Sequence, residues 1–379
     1  MSRSRLICLC LLLGLAPCAR AAEPFRYPQG EHGKARLKYT NGLPVLVVEG
    51  TPEEIGRQLA ALTAKPAERL TRYFKGLLKD QHLDLAWPLI VRLSRSMLPQ
   101  FPPDHLKELE AAAQASGVDR DLLVVANTIF DIRKIAGCST LVVEAGRSAT
   151  HGPLFGRNLD FPTLGILQDY SLVTVYRPRG KHAFASVGFP GIIGCASGIN
   201  DAGLALAANE IFSSKDGSPR FDPKGTPITL CSRRILEECA SVAEAEKLLR
   251  TMKRATMVSL TVCDTKGGAV FEVTPRSLVV RPSVDGICAC TNHFRSKELA
   301  TTTRCQRYPV LQECRTLDRV TLSDVARKLD EVNQGPLTMQ TMIFEPARRK
   351  LHLSIGPCPT SARKLRPLDL APLFAKDRR

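Results

Sequence analysis

Residues 34–50, KARLKYTNGLPVLVVEG, form two β-rich runs on either side of Asn41-Gly42. A tight-turn dipeptide between such runs predicts a hairpin. Thr51-Pro52-Glu53-Glu54 follows, with Thr51 suited to cap a helix, Pro52 to its first position and Glu54 to completing a capping box. Apolar positions then recur at helical spacing over roughly 52–79, 84–97, 103–115 and 119–132, with Pro102-Pro103 and Ser116-Gly117 as punctuation. The pattern changes at Gly137-Cys138. Beyond it come strand-like runs: CSTLVVEA, LFGRNLDF, YSLVTVYR, HAFASVGF and GLALAANEIF. A helical stretch covers about 227–252. MVSLTVCD, GAVFEVTP, SLVVRP and GICACTNHF return to strand, a helix is expected near 322–333, and TMQTMIFEP and KLHLSIG close the pattern. Long strand meanders with few helices between them predict an α+β layered fold and do not fit a βαβ dinucleotide-binding pattern. No spacer separates the two halves at 137/138, so they are expected to share a core.

The first 21 residues stand apart. Arg3 and Arg5 precede an apolar run from Leu6 to Leu15, and Ala19-Arg20-Ala21 is a small-residue cleavage signal. These are the three parts of a secretory leader, and the expected location is the periplasm or the exterior. Cys18 offers a lipid anchor as the lesser alternative, because Pro17 occupies a position where lipoprotein signals favour a small residue. No other stretch has the ~18 apolar residues of a membrane-spanning helix. Removing the leader's three arginines leaves 50 basic against 37 acidic residues, a net charge of +13. The basic residues are scattered, the densest run being Arg348-Arg349-Lys350, and no aromatic residues interleave them as a nucleic-acid groove requires. No nucleic-acid partner is expected. Ten cysteines remain after the leader, which an oxidising compartment allows to pair, though spacing assigns no pairs. The absence of C-x-x-C and the dispersal of the seven histidines give no support to a metal site, and no cofactor is expected.

Familiar hydrolase signatures are absent: there is no G-x-S-x-G, H-E-x-x-H or phosphate-binding G-x-x-x-x-G-K-[ST]. One constellation remains. Cys138 opens a strand directly after a helical segment, and FGRNLD follows at 155–160. A hairpin through GRSATHG (146–152) would return Arg157 and Asp160 to the neighbourhood of Cys138. A guanidinium favours a thiolate, and a carboxylate can orient an ammonium or thiol proton.

With these residues in view, the chain resembles the cysteine N-terminal nucleophile (Ntn) hydrolases related to penicillin-forming acyltransferase, choloylglycine hydrolase, acid ceramidase and N-acylethanolamine amidase. The resemblance runs through GTPEEIGRQLAAL (50–62), LKELEAAAQASGVDRDLLVVAN (106–127), GCST (137–140), FGRNLDFP (155–162), GINDAGLALAANEIF (198–212), CTNHF (290–294), TTTRCQRY (301–308) and TMIFEPARRKLHLSIGPC (341–358). The acyltransferase branch fits best, since a long helical segment precedes the cysteine.

That resemblance implies an αββα four-layer sandwich with a largely helical N-terminal segment. It also implies self-cleavage of Gly137–Cys138, dividing residues 22–137 (116 residues) from 138–379 (242 residues) as the two chains of one precursor. Cys138 would be the nucleophile, and its freed α-amine, with an ordinary pKa of about 7.7–8.0, its own base. By the same resemblance Arg157 and Asp160 tune the thiol and amine, and Asn209 and Asn292 serve the oxyanion. Arg304 supports the cysteine region, with Arg307 close enough in sequence to be the match instead. Phe161 stands where many relatives carry Trp or Tyr. The implied activity is cleavage of a linear, non-peptide N-acyl amide through a thioester. Two other readings stay open: an inactive binding protein of the same fold held near an anionic envelope, and a cysteine peptidase using His293 as a separate base.

Overall fold

The computed structural model describes residues 24–80 and 86–375; the leader expected at 1–21 lies outside them. The hairpin forms as β2 (Ala35–Thr40) and β3 (Leu43–Gly50), preceded by β1 (Gly30–His32), with Asn41 at φ 49° and Gly42 at φ 75° making the turn. Helices α1 (Pro52–Asp80), α2 (Ala86–Ser96), α3 (Pro103–Ser116) and α4 (Arg120–Ile132) follow the apolar periodicity closely. At the start of α1 the N–H of Glu54 donates to Thr51 Oγ1 (3.2 Å) and the N–H of Thr51 to Glu54 Oε2 (2.7 Å), the reciprocal capping box read from the sequence.

Strands β4 (Gly137–Val143), β5 (Leu154–Asp160), β6 (Leu172–Pro178), β7 (Phe184–Gly188), β8 (Ser197–Asn200) and β9 (Ala205–Glu210) come next. The helix expected over 227–252 is two helices, α5 (Ile228–Glu238) and α6 (Val242–Thr251). The break falls where Ser241 accepts a hydrogen bond from the N–H of Glu244 and caps the second helix, which leaves Cys239 as the C-cap of the first. Then follow β10 (Val258–Cys263), β11 (Gly268–Val273), β12 (Leu278–Pro282), β13 (Ile287–Cys290), α7 (Arg307–Gln312), α8 (Leu322–Glu331), β14 (Thr338–Glu345), β15 (Lys350–Ile355), β16 (Arg366–Asp369) and α9 (Ala371–Phe374).

The strands make two sheets. The larger has the order β1-β2-β3-β6-β7-β8-β9-β10-β11-β12, and the smaller β13-β4-β5-β14-β15-β16. Every pairing is antiparallel except β3 with β6. Val45, Val173 and Ala205 of the larger sheet pack against Val142, Phe155, Met342 and Phe344 of the smaller. The outer face of the larger sheet, with Leu206, Leu260 and Phe271, is covered by Ile235, Leu236, Ala245 and Leu249 of α5 and α6. The outer face of the smaller, with Leu141, Val143 and Ile343, is covered by Leu311 of α7 and Val325 and Leu329 of α8. The order helix, sheet, sheet, helix is the αββα sandwich of an α+β protein. It explains why LVV and MIF read as unbroken apolar runs, because strands buried on both faces lose the apolar-polar alternation. Among the described residues, no helix is long and apolar enough to cross a membrane.

Candidate active site

Antiparallel pairing of β4 with β5 sets Gly137 opposite Asp160, Cys138 opposite Leu159 and Thr140 opposite Arg157. Alternation then sorts the side chains. Cys138, Thr140 and Val142 face the larger sheet, where Thr140 Oγ1 meets Thr261 Oγ1 at 2.7 Å. Arg157 shares that face: its Nη1 donates to Asn209 Oδ1 (2.9 Å) on β9 and its Nε to Ser197 Oγ (3.2 Å) on β8. Among the described residues its Nη2 has no hydrogen-bond partner, although Arg157 is fully buried. Burial pushes the Cys138 thiol up, Arg157 beside it works the other way, and the charges of Asp160 and Glu210 add to the rise.

Asp160 points to the opposite face of β5. It therefore lies opposite Gly137 and on the face away from the thiol, unlike the side-by-side arrangement expected from the hairpin alone. Its Oδ1 accepts from Thr338 Oγ1 (2.6 Å) and its Oδ2 from Gln334 Nε2 (2.7 Å). Arg307 Nη1 lies 3.6 Å from the same Oδ2.

Both sides of the Gly137–Cys138 bond are held by side chains. On the far side, Glu210 Oε2 accepts the N–H groups of Ile135 (2.9 Å) and Ala136 (2.8 Å). On the near side, Asn292 Oδ1 accepts the N–H of Cys138 (2.8 Å), and Arg307 Nη1 donates to the carbonyl of Cys138 (2.7 Å). Arg307 Nη2 also donates to Asn292 Oδ1 at 2.8 Å. Asn292 Nδ2 donates to the carbonyls of Glu210 (2.8 Å) and Ala136 (3.4 Å), and Asn209 Nδ2 to that of Thr291 (3.3 Å). In the continuous chain the amide of Asn292 is therefore committed to backbone carbonyls.

Cys138, Arg157, Asp160, Asn209 and Asn292 converge here. Arg304 does not, because it is exposed in the segment before α7. Arg307, three residues on, opens that helix and turns inward, and it is Arg307, not Arg304, that reaches the main chain of Cys138. His293 is half-buried, and burial with Arg295 and Arg307 nearby holds it below its ordinary value. Reading the sequence missed Glu210 and Gln334. Glu210 lies inside a quoted motif and is 6% exposed, with Oε1 unpartnered. Burial pushes its carboxyl up to about 7 against the pull of Lys134. Gln334 lies in no motif and carried no signal. All ten cysteines of the described residues are free thiols, with Cys288 and Cys290 on one face between the sheets. Among the described residues no cluster of three or more His, Cys, Asp or Glu is placed to hold a metal ion.

The family described as acyl-coenzyme A:6-aminopenicillanic acid acyl-transferase matches residues 147–356, over half of the chain, starting nine residues beyond Cys138. An uncharacterized protein of Archaeoglobus fulgidus is 24% identical over 274 residues, which cover 64% of this chain and 45% of that protein. The chain thus spans less than half the length of this curated relative. Among solved structures, the Caenorhabditis elegans ortholog of N-acylethanolamine-hydrolyzing acid amidase is 18% identical, over 55% of this chain and 93% of that one, with a TM-score of 0.44. A mutant form of the conjugated bile acid hydrolase from Clostridium perfringens is 14% identical, over 62% and 92%, with a TM-score of 0.42.

Proposed function

The chain belongs to the acyl-coenzyme A:6-aminopenicillanic acid acyl-transferase family, within the Ntn hydrolases, and from that premise we propose that it is an exported, self-processing amidohydrolase or acyltransferase. It cuts its own Gly137–Cys138 bond and then uses Cys138 on linear, non-peptide N-acyl amides. Export is read from residues 1–21.

The observation that carries this reading is the grip of three side chains, from the end of β9, the turn after β13 and the start of α7, on the backbone flanking one peptide bond: Glu210 on Ile135 and Ala136, Asn292 and Arg307 on Cys138. In the precursor, Sγ of Cys138 adds to the carbonyl carbon of Gly137. The carbon–nitrogen bond breaks, and the thiol proton ends on the nitrogen. Water then hydrolyses the thioester, releasing Gly137 as a carboxylate and restoring the thiol beside a free α-amine. Thiol and base then share one residue, so their proximity needs no further part. The amine, ordinarily near pKa 7.7–8.0, takes the proton as the buried thiol attacks a substrate carbonyl. The Arg157 guanidinium stabilises the developing thiolate. Departure of Ala136 would free an N–H of Asn292, and Asn209 Nδ2 makes a long 3.3 Å bond to the carbonyl of Thr291. Both amides are then available to an oxyanion, where losing one donor costs about 10²–10³-fold in rate. Asp160 holds Arg307, and through it the main chain of Cys138.

Intact-mass measurement and N-terminal sequencing test the proposal. The purified protein should contain a chain beginning at Cys138, and Cys138→Ala should remain one uncut, inactive chain. A continuous wild-type polypeptide that still turns over N-acyl amides, or a Cys138→Ala variant that is cut at 137/138, refutes it.

A further inference from the structure

Gly137 lies outside the left-handed region of backbone conformation, so strain does not explain its lack of a side chain. Space does. A Cβ at Gly137 would sit 2.0 Å from Gln334 Nε2, 3.0 Å from its Cδ and 3.2 Å from Asp160 Cβ, and the first of these falls 1.4 Å short of the 3.4 Å at which ordinary contact begins.

Gln334 is not a loose end that could swing away. Its Nε2 donates to Asp160 Oδ2 (2.7 Å), its own N–H donates to Thr338 Oγ1 (2.7 Å), and Thr338 Oγ1 donates to the second oxygen of Asp160 (2.6 Å). The turn that carries it is closed by the N–H of Gly335 on Asn333 Oδ1 (2.8 Å) and tied to the end of β5 by the N–H of Phe161 on the carbonyl of Leu337 (2.8 Å). The carboxamide is thus fixed over Cα of Gly137 by the same carboxylate that braces Arg307.

We propose that Gln334 is a specificity-determining residue that bars substituents from the carbon next to the reacting carbonyl, a proposal that rests on Cys138 being the nucleophile. In self-cleavage that carbon is Cα of Gly137; in turnover it is the α-carbon of the substrate's acyl group. Both reactions join Sγ of Cys138 to a carbonyl carbon and expel a nitrogen, so both thioesters share the arrangement Sγ–C(=O)–Cα. The glycine Cα, with the hydrogen in its L side-chain position beneath the amide of Gln334, is the template for the second. The substrates are therefore N-acyl amides whose acyl α-carbon carries no substituent on the side that faces Gln334. Peptides are poor substrates for the same reason: every residue but glycine presents a Cβ where Nε2 sits. Reacting atoms displaced by about 1 Å react up to ~10²-fold more slowly.

Two experiments on the full-length protein test this. In the first, cleavage at 137/138 is followed by intact mass. Gly137→Ala should process roughly 10²-fold more slowly than wild type, and the double variant Gly137→Ala/Gln334→Ala should regain most of that loss. In the second, processed wild type, Gln334→Ala and Gln334→Asn are acylated with the p-nitrophenyl esters of butanoic and 2,2-dimethylpropanoic acid, and Cys138 acylation is read from p-nitrophenol release. The butanoyl preference of the wild type should fall by roughly tenfold in both variants, beyond the intrinsic difference between the esters. A purely structural role would slow both esters together and leave the ratio unchanged. If wild type is cut and acylated while Gly137→Ala is cut at the same rate, or the ester ratio stays at the wild-type value in both variants, the role of Gln334 is refuted and that of Cys138 survives. If wild type is neither cut nor acylated at Cys138, both fall.

Discussion

Arg233→Met should be the most destabilising single change away from the site. Arg233 is almost fully buried on α5. Its Nη2 and Nη1 bond both oxygens of Glu108 on α3 (2.6 and 2.8 Å), its Nε bonds Glu237 (2.8 Å) and its Nη1 the carbonyl of Ile193 (3.0 Å). The guanidinium also lies over the rings of Tyr176 and Phe184, 4.7 and 5.5 Å from their centroids. Lys181 and His105 bond the other oxygen of Glu237, at 2.9 and 3.0 Å. Methionine fills much of the volume but leaves Glu108, about 1% exposed, as a buried carboxylate without a cation. Breaking a buried pair from one side costs about 3–5 kcal/mol, which lowers the thermal midpoint of a chain this long by about 5 °C. Neutralising the orphan as well, in Arg233→Met/Glu108→Gln, should return at least about 1 kcal/mol of that. Thermal and urea unfolding of the three proteins measure both quantities. A midpoint for Arg233→Met within about 2 °C of wild type, or a double variant less stable than the single one, would refute the reasoning. The network also joins α3 to α5 across the 137/138 boundary, so it would bind the two pieces of a processed chain, and Arg233→Met should make them separate at lower urea.

Glu210 and His105 shift stability with pH in opposite directions. Burial holds the Glu210 carboxyl at about 7 against an ordinary 4.5, so between those values only the folded state keeps the proton and stability falls as pH rises. Glu210→Gln should make the decline between pH 4.5 and 7 shallower by on the order of 3 kcal/mol, read from urea unfolding at pH 5 and 8; an unchanged slope would count against it. Burial, with Arg233 nearby, lowers His105 to about 4 from 6.5, so the unfolded chain gains the proton first and stability is lost as pH falls through that window. His105→Gln should flatten that acid limb, and an equally steep limb in the variant would contradict it. Arg307→Ala should slow processing at 137/138 by roughly 10²-fold, whereas Arg304→Ala should stay within about twofold of wild type; the reverse ranking would restore Arg304 to the site.

Much of the architecture is local and therefore readable. The turn at Asn41-Gly42, the box at Thr51 and Glu54, and the helical periodicities before Gly137 each depend on residues within a few positions of one another. The helical stretch over 227–252 is likewise readable, and so is its division, since Ser241-Val-Ala-Glu244 is itself a capping signal. The hairpin that brings Arg157 near Cys138 is also readable from its turn, but not the face on which Asp160 lies, because one residue of register moves a side chain from one face of a sheet to the other. Arg304 and Arg307 cannot be told apart without knowing where α7 begins.

Residue order alone thus determined most of the elements, the change from helical to strand pattern near 137 and the chemical kinds of group available, because capping, turn geometry and apolar period act over one or two turns of chain. Only the packed fold decided that Asn292, 154 positions away, receives the N–H of Cys138, that Arg307 grips its carbonyl, and that Gln334 lies over Gly137. Those contacts depend on how β13 joins β4 and on how the turn before β14 closes on β5. They are distances between parts of the chain that no local pattern relates, set by the burial of two sheets against each other.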